Sequence, residues 1–492
     1  MTDMPGARRL PRSTPEQQGV SSAALLALLD ALTELGEVHS LMVVRHGHVV
    51  AEGWAAPYSS DRVHLLYSLS KSFTSTAVGF AQAEGLLAVD DLVLDHLADL
   101  APASPDPNLR RMRLRDLLTM TTGHDEDASD RTFSQDDWAR AFLALPVEHE
   151  PGTHFVYNTA ATYMLSAIVQ RVTGQRVLDY LRPRLLEPLG IEGATFEQSP
   201  QGIDTGGFGM SVTTEDIAVF GQLYLQDGLW DGVQVLPAGW AAEATARQVP
   251  NGDDPDSDWA QGYGYQFWRG RHGSYRGDGA FGQFCVVVPA LDLVVVTTSA
   301  IMDMHTELAL VWEHLVPGAG EVRSPDEGAH AALLARFESW ALPVPGGAGA
   351  VVAGPGAGSS DGSTSSDGST QAGAGRELVG RAVTFEANRW GLRSAVLIAD
   401  DVLELRWDAG PVRLDVGRGA WRSSTIRLAK PFAQEVLAAG AWVDGAYELA
   451  VQLPDEPHGV RVRVTVDGSA VTVVGAINAA FDERHIRLVG EL

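Results

Sequence analysis

The chain has 492 residues, 45% of them hydrophobic and 20% charged, which is ample for about three domains and excludes wholesale disorder or a fibrous repeat. A formal net charge of −27 excludes nucleic acid and anionic membranes as general partners, because both recruit basic surfaces. The single cysteine, Cys285, excludes an internal disulfide framework and any cysteine-rich metal site, and no apolar run reaches the roughly 18 residues that span a bilayer.

In chain order, Arg8, Arg9 and Arg12 precede the apolar stretch Ala23 to Leu29, but Glu16, Gln17 and Gln18 interrupt and no small-residue cleavage pattern follows. The segment reads as a helix opened by Ser21 or Ser22 in a cytoplasmic protein, not as a secretory signal. Leu41 to Trp54 reads as a hairpin around Arg45-His46-Gly47-His48, with both histidines at the surface. Phe73, Ala77, Phe80, Ala81 and Glu84 follow helical spacing to a stop at Gly85, and a second helix runs from Tyr163 to Val172, closed by Gly174. Between them, His124-Asp125-Glu126-Asp127 reads as a solvated acidic loop, since carboxylates adjacent in sequence seldom converge on one ion. Trp259, Tyr263, Tyr265, Phe267 and Trp268 form an aromatic run that suits core packing by default and an acyl pocket as the alternative. Phe284 to Val288 and Leu293 to Ser299 read as paired strands, with Cys285 a small buried side chain. Strands at both ends with helices between imply an α+β domain, an antiparallel sheet flanked by helices plus a helical region.

From 343 to 375, 19 of 33 residues are Gly, Ser or Pro, the composition of a flexible linker. Gly358-Ser359-Ser360-Asp361-Gly362 within it matches a nucleophile-elbow pattern but lacks the strand and helix that would strain the serine, and is set aside. Beyond it, Ala382 to Phe385, Val402 to Trp407, Tyr447 to Leu453 and Val460 to Val474 are strand-like, the last containing an Asp467-Gly468 hairpin turn. The expected organisation is a hydrolase-type domain over 1–342, a linker over 343–375, and an all-β barrel or sandwich over 376–492.

The chemistry concentrates at Ser68-Leu69-Ser70-Lys71, where an extended segment hands over to a helix. Positions i and i+3 share a helix face about 5–6 Å apart, so Ser68 and Lys71 can meet. A serine hydroxyl needs a base, and an ammonium serves only after desolvation lowers its pKa from about 10.4. The chain has 34 arginines but two lysines, Lys71 and Lys430, so this is its one S-x-x-K. Two further segments stand out: Pro151-Gly152-Thr153-His154-Phe155-Val156-Tyr157-Asn158-Thr159 before the second helix, and Tyr275-Arg276-Gly277-Asp278-Gly279-Ala280-Phe281-Gly282-Gln283 before the late strand pair.

In order and spacing these segments resemble the serine β-lactamase-like superfamily of class C β-lactamases, DD-peptidases, carboxylesterases and 6-aminohexanoate-dimer hydrolases. Gly85-Leu86-Leu87-Ala88-Val89-Asp90-Asp91 and Leu117-Leu118-Thr119-Met120-Thr121-Thr122-Gly123 resemble two more of its phrases, so the likeness covers about residues 15 to 320. The resemblance implies Ser68 as nucleophile, Lys71 and Tyr157 sharing the proton, and the backbone N–H groups of Ser68 and Ala280 as oxyanion hole. It further implies Asn158, Thr159, Gly277, Asp278 and Gly279 as substrate contacts, with no metal and no cofactor. Two departures bear on substrate. Thr159 replaces the asparagine of Y-x-N, leaving Asn158 at the variable middle position. Gly277-Asp278-Gly279 replaces the cationic or imidazole-bearing triplet, so a ligand carboxylate would meet a negative charge unless Arg276 folds inward. The expectation is a serine hydrolase of small esters or amides. The alternatives are β-lactamase or DD-peptidase-like processing, or a non-catalytic binding protein derived from the fold.

Overall fold

Local signals build the first layer. Ser21 caps helix α1 (Ser22–Leu35) by accepting from the Ala24 N–H, and α1 buries Leu25, Leu28, Leu29 and Leu32 along one stripe. Strands β1 (Glu37–Arg45) and β2 (His48–Trp54) form the expected hairpin, turned by His46 and Gly47, both at positive φ. Helix α2 (Ser70–Ala83) ends before Gly85 at φ 71°, short helix α3 covers Leu114–Leu118, and helix α4 (Thr159–Thr173) stops at Gly174, also at φ 71°. Helix α5 (Thr214–Leu225) opens on a capping box between Thr213 and Asp216. Strands β3 (Trp268–Arg269), β4 (Tyr275–Gly279), β5 (Gln283–Val288) and β6 (Leu293–Ala300) complete a six-stranded antiparallel sheet in the order β2-β1-β6-β5-β4-β3. The late strands thus insert beside the first hairpin, which brings β4 to the helical region. Gly221 lets α5 lie close on the sheet, since a Cβ there would stand 2.7 Å from Cys285 Sγ and Val294 Cγ1.

The structure, a computed structural model, describes residues 10–321, 324–347, 378–427 and 433–492. The chain forms two compact units, residues 10–55 with 59–340, and 56–58 with 341–492. The expected linker from 348 onward lies outside the described residues, as does the Gly358–Gly362 match. No helix among the described residues is long and apolar enough to cross a membrane.

The second unit is a ten-stranded antiparallel sheet curled into a nearly closed barrel. Its strands are β7 (Ala382–Phe385), β8 (Leu392–Ala399), β9 (Val402–Trp407), β10 (Gly410–Asp415), β11 (Arg422–Ile426), β12 (Gln434–Val443), β13 (Ala446–Gln452), β14 (Gly459–Asp467), β15 (Ala470–Ile477) and β16 (His485–Glu491). They run in the order β10-β9-β8-β7-β16-β15-β14-β13-β12-β11. The seam between β10 and β11 is spanned by the Asp415 N–H donating to Ser424 Oγ at 2.7 Å, in place of a ladder. Of the barrel and the sandwich that composition allowed, the chain forms the barrel.

Helix α2 is buried from Ser70 to Ala81 on every face. Its hydroxyls are therefore all bonded: Ser72 Oγ to the Gln266 carbonyl (2.9 Å), Thr74 Oγ1 to the Gly206 carbonyl (2.8 Å), and Ser75 Oγ to the Tyr265 carbonyl (2.7 Å). Gly79 faces the Trp240 indole, where a Cβ would come within 2.5 Å of the ring. Alanine is the better helix former by about 1 kcal/mol, yet overpacking costs about 1–3 kcal/mol, so packing wins here. Gly79→Ala should lower stability by about 1–2 kcal/mol in denaturant titration, and an unchanged or raised midpoint would show that the indole yields freely.

Candidate active site

The nucleophile segment is held by strand pairing before it turns. His64–Leu65 pairs with Met210–Val212, the Leu66 N–H donates to the Met210 carbonyl at 2.8 Å, and Tyr67 takes a positive φ of 48°. Ser68 follows in the 3₁₀ turn Tyr67–Leu69 that runs directly into α2. This half-exposed hydroxyl therefore sits at a helix start, where the dipole favours developing negative charge.

Lys71, one turn on, is 1% exposed. Its Nζ lies 3.0 Å from Ser68 Oγ, 3.1 Å from Thr159 Oγ1 and 2.8 Å from the Gly207 carbonyl. Desolvation brings its pKa down to about 7, against the opposing pull of Asp127 and Asp278. The close approach of the Gly206–Gly207 turn depends on its glycines, for a Cβ on Gly207 would stand 2.7 Å from Thr159 Cγ2.

Tyr157 arrives on the extended stretch before α4. Its hydroxyl bonds to Ser68, its ring lies 4.9 Å from Lys71 Nζ, and it stacks on Trp268 with centroids 5.1 Å apart. Burial pushes the phenol well above its ordinary range, so it is a donor at neutral pH. Asn158, expected to touch substrate, is fully buried, and its Oδ1 caps α4 by accepting from the Ala161 N–H. Its neighbour Thr159 is the residue that turns toward Lys71.

Strand β4 closes the other side. Gly277 faces α2, where a Cβ would sit 3.1 Å from Leu69 Cγ and Ser72 Oγ, and a Cβ on Gly279 would stand 2.0 Å from the Leu66 carbonyl oxygen. These glycines let the strand press against the nucleophile segment, and neither place has room for a lysine stem. Arg276 and Asp278 point to the opposite face and pair, Nη2 to Oδ2 at 2.9 Å and Nε to Oδ2 at 3.0 Å. Arg276 also donates to the Asp258 carbonyl at 2.9 Å and lies 4.5 Å from the Trp259 ring. The negative edge expected from Asp278 is thus corrected: Arg276 folds inward and neutralises it. Burial raises the Asp278 carboxyl above its usual range, and the guanidinium limits the rise. Ala280 stands at the entry to the β4–β5 turn, ahead of Phe281 (φ 69°) and Gly282 (φ 90°).

The aromatic run divides between two surroundings. Tyr265 and Phe267 pack in the core against Trp240 and Tyr224, whereas Trp259 and Trp268 frame Arg276 and Tyr157. Gln266, buried at φ 65° between them, is the residue that sequence reading missed. Its amide nitrogen donates to the Leu117 and Leu118 carbonyls (3.1 and 2.8 Å), its Oε1 accepts from Thr162 (2.6 Å), and its own carbonyl accepts from Ser72. One side chain and its backbone therefore tie α2, α3 and α4 together behind the site. An isolated glutamine inside an aromatic run was the available signal.

The acidic loop is less uniform than its composition. His124 is buried against Phe142 with its pKa down to about 4, while Asp125 pairs with His149 at 2.8 Å. Asp125, His149 and His154 bring ligand atoms within 4.8 Å of one another, the group among the described residues with metal-ligand chemistry. Their separation in the chain hid that grouping, and none of them contacts Ser68, Lys71 or Tyr157 in the network above.

An antiparallel sheet, a helical region and a serine and lysine one turn apart at their junction define a hydrolase of the β-lactamase fold. The chain belongs to the Beta-lactamase family, whose model matches residues 15–315. It is similar to a 6-aminohexanoate-dimer hydrolase of Paenarthrobacter ureafaciens, 30% identical over 324 residues covering 61% of this chain and 82% of the relative. It is also similar to penicillin-binding protein 4 of Amycolatopsis lactamdurans, 29% identical over 335 residues, 59% of this chain and 85% of the relative. Among solved structures, EstCE1, a hydrolase with promiscuous acyltransferase activity, shares the fold with a TM-score of 0.50, at 18% identity over 61% of this chain and 98% of that one.

Removing the Gln266 amide should leave the Leu117 and Leu118 carbonyls and Thr162 Oγ1 without it. The Leu118 carbonyl keeps the Gln266 backbone N–H at 3.1 Å, so two groups lose a partner at about 1–3 kcal/mol each; Gln266→Leu should destabilise by about 2–6 kcal/mol and lower kcat in the surviving folded fraction. Thermal unfolding alongside active-site titration checks this, and wild-type values of both would remove Gln266 from the site's support.

Proposed function

We propose that the chain is a serine hydrolase that cleaves small, uncharged esters or amides through an acyl-enzyme on Ser68. The observation that carries this reading is the buried Lys71 amine, 3.0 Å from Ser68 Oγ with its pKa near neutrality. A neutral amine has two N–H bonds and one lone pair. With the N–H bonds given to the Gly207 carbonyl and Thr159 Oγ1, the lone pair is left for the Ser68 proton. As Oγ attacks the acyl carbon, the proton moves to Lys71. The carbonyl oxygen gains charge opposite the backbone N–H groups of Ser68 and Ala280, where preorganised donors are most effective. Tyr157, kept protonated by burial, donates to the departing alkoxide or amine, and Lys71 then passes the proton it took from Ser68 to the Tyr157 phenolate, which restores both groups. Water then enters by the same route in reverse and releases the acid. This division of labour needs no metal or cofactor.

The neutral-substrate reading rests on the Arg276–Asp278 pair, which offers a ligand carboxylate neither a free cation nor a free anion. Recognition of penicillin-like anions calls for a cation that Arg276, engaged with Asp278 and Asp258, does not supply. A purely binding protein would have no use for a desolvated lysine beside a serine, since the arrangement costs stability.

Ser68→Ala should fold normally and lose roughly 10³-fold or more of turnover, together with labelling by an activated fluorophosphonate. Lys71→Arg should fail almost as badly, because a guanidinium stays protonated. Turnover near wild type in either variant would overturn the mechanism.

Because the neutral amine is the base, kcat/KM should rise with pH along a limb centred at about 7, the value for Lys71. A profile flat between pH 5 and 9 would remove Lys71 from that role.

A neutral p-nitrophenyl ester should be turned over with much higher kcat/KM than an anionic cephalosporin. Asp278→Asn unmasks Arg276, and about 1 kcal/mol of uncovered attraction would favour the anion by about fivefold. Parity between the two substrates in the unaltered enzyme would contradict the proposed preference.

A further inference from the structure

We propose that the interior of the C-terminal barrel is a binding site for an uncharged, apolar small molecule of about medium-chain alkyl size. The barrel encloses a cavity of about 370 Å³. Its wall is built from Leu, Val, Ile, Phe and Trp side chains, including Leu405, Trp407, Val462 and Val473, and the polar residues on it are Tyr447 and His458. Each is bonded to a backbone carbonyl: the Tyr447 hydroxyl reaches the Asp400 carbonyl at 3.3 Å, and His458 Nδ1 meets the Ala479 carbonyl at 2.9 Å. Among the described residues, no Lys, Arg, Asp or Glu lines the cavity.

The cavity follows from the strand count. Eight strands close a barrel whose interior side chains just fill it, and ten strands make a wider cylinder. Inward residues on β14 (Val460, Val462, Val464) and β13 (Leu449, Val451) remain only half-buried although they face the lumen, as they do when nothing packs over them. A rigid void of this size would forfeit dispersion contacts on a scale comparable with a domain's whole stability. Water is a poor filling, since each molecule needs two to four polar partners that this wall lacks, and apolar cavities of this kind stay dry and take up apolar molecules. The volume lies within the range of about 300–1,000 Å³ typical of small-molecule pockets, and the composition selects against a buried charge. This inference is independent of the Ser68 chemistry.

The test uses the full chain and the neutral dye N-phenyl-1-naphthylamine, with Trp390 and Trp407 on the wall as energy-transfer donors. The expected result is saturable binding of one dye per chain, with quenched tryptophan emission, displacement by 1-decanol, and the same affinity in Ser68→Ala, which excludes the hydrolase site as the locus. Val462→Phe and Val473→Phe, made separately, each add bulk to the lumen and should weaken dye binding about tenfold or more without lowering the melting temperature. Two variants guard against one failing to fold. The proposal is overturned if the dye does not bind, if a folded filled variant binds as well as wild type, or if Ser68→Ala abolishes binding.

Discussion

A lysine ammonium taken out of water is the constraint on which the hydrolase unit turns. Lys71 is enclosed by a hydroxyl of the turn that leads into its helix, a hydroxyl of α4 and a carbonyl of the Gly206–Gly207 turn, and desolvation outweighs the nearby carboxylates. Its pKa falls from 10.5 to about 7. Between those values the unfolded chain holds a proton that the folded chain has released, so stability rises with pH across that window, and the site is a net cost to folding at and below neutrality. The rest of the unit supplies the compensation: α2 is buried on all faces, every turn of it is packed, and its hydroxyls are bonded to loops that carry the other site residues. The same bonds that offset the cost therefore position the chemistry.

Electrostatic balance at β4 follows a related logic. An unpaired Asp278 would hold Lys71 protonated by attraction and defeat the base. Pairing with Arg276 sets an opposite charge against Asp278, and Arg276 is itself fixed by the Asp258 carbonyl and the Trp259 ring. Asp258 is in turn bonded to Arg271 and Trp312.

Legibility differed sharply between the units. The helices of the first were readable because their apolar spacing and their stops at Gly85 and Gly174 agree with the tertiary outcome. That Ser68, Lys71 and Tyr157 would come together was legible because three short segments keep their order and spacing. The direction of Asn158 was not, since a residue before a helix can face the substrate or cap the helix, and here the capping bond took it. Nor was Arg276, because whether an arginine folds onto the next same-face residue depends on a register that sequence does not display. Gln266 acts through contacts scattered over about 150 positions of sequence separation, which no local window contains. In the barrel, four strand runs were evident and ten strands formed. Gln434–Val443 carries Ala and Gly at its centre, and Arg422–Ile426 carries Ser and Thr, so propensity is low and pairing with neighbours decides their state.

The two units also solve the packing problem differently, and the difference explains where each keeps its function. In the first, an antiparallel sheet is covered by helices, and large side chains such as Phe73, Phe220 and Phe267 stack on one another between the layers. A filled core fixes the side chains set in it to within a fraction of an ångström, as it does the Ser68 hydroxyl and the Lys71 amine. In the second, the sheet covers itself. With ten strands around, side chains of ordinary size reach inward without meeting across the axis, so the apolar face that drives folding is left partly unburied. A structure built this way is tolerant of its contents rather than exacting about them. Such an interior suits recognition by apolar contact, whereas the rigid cleft of the first unit suits bond-making.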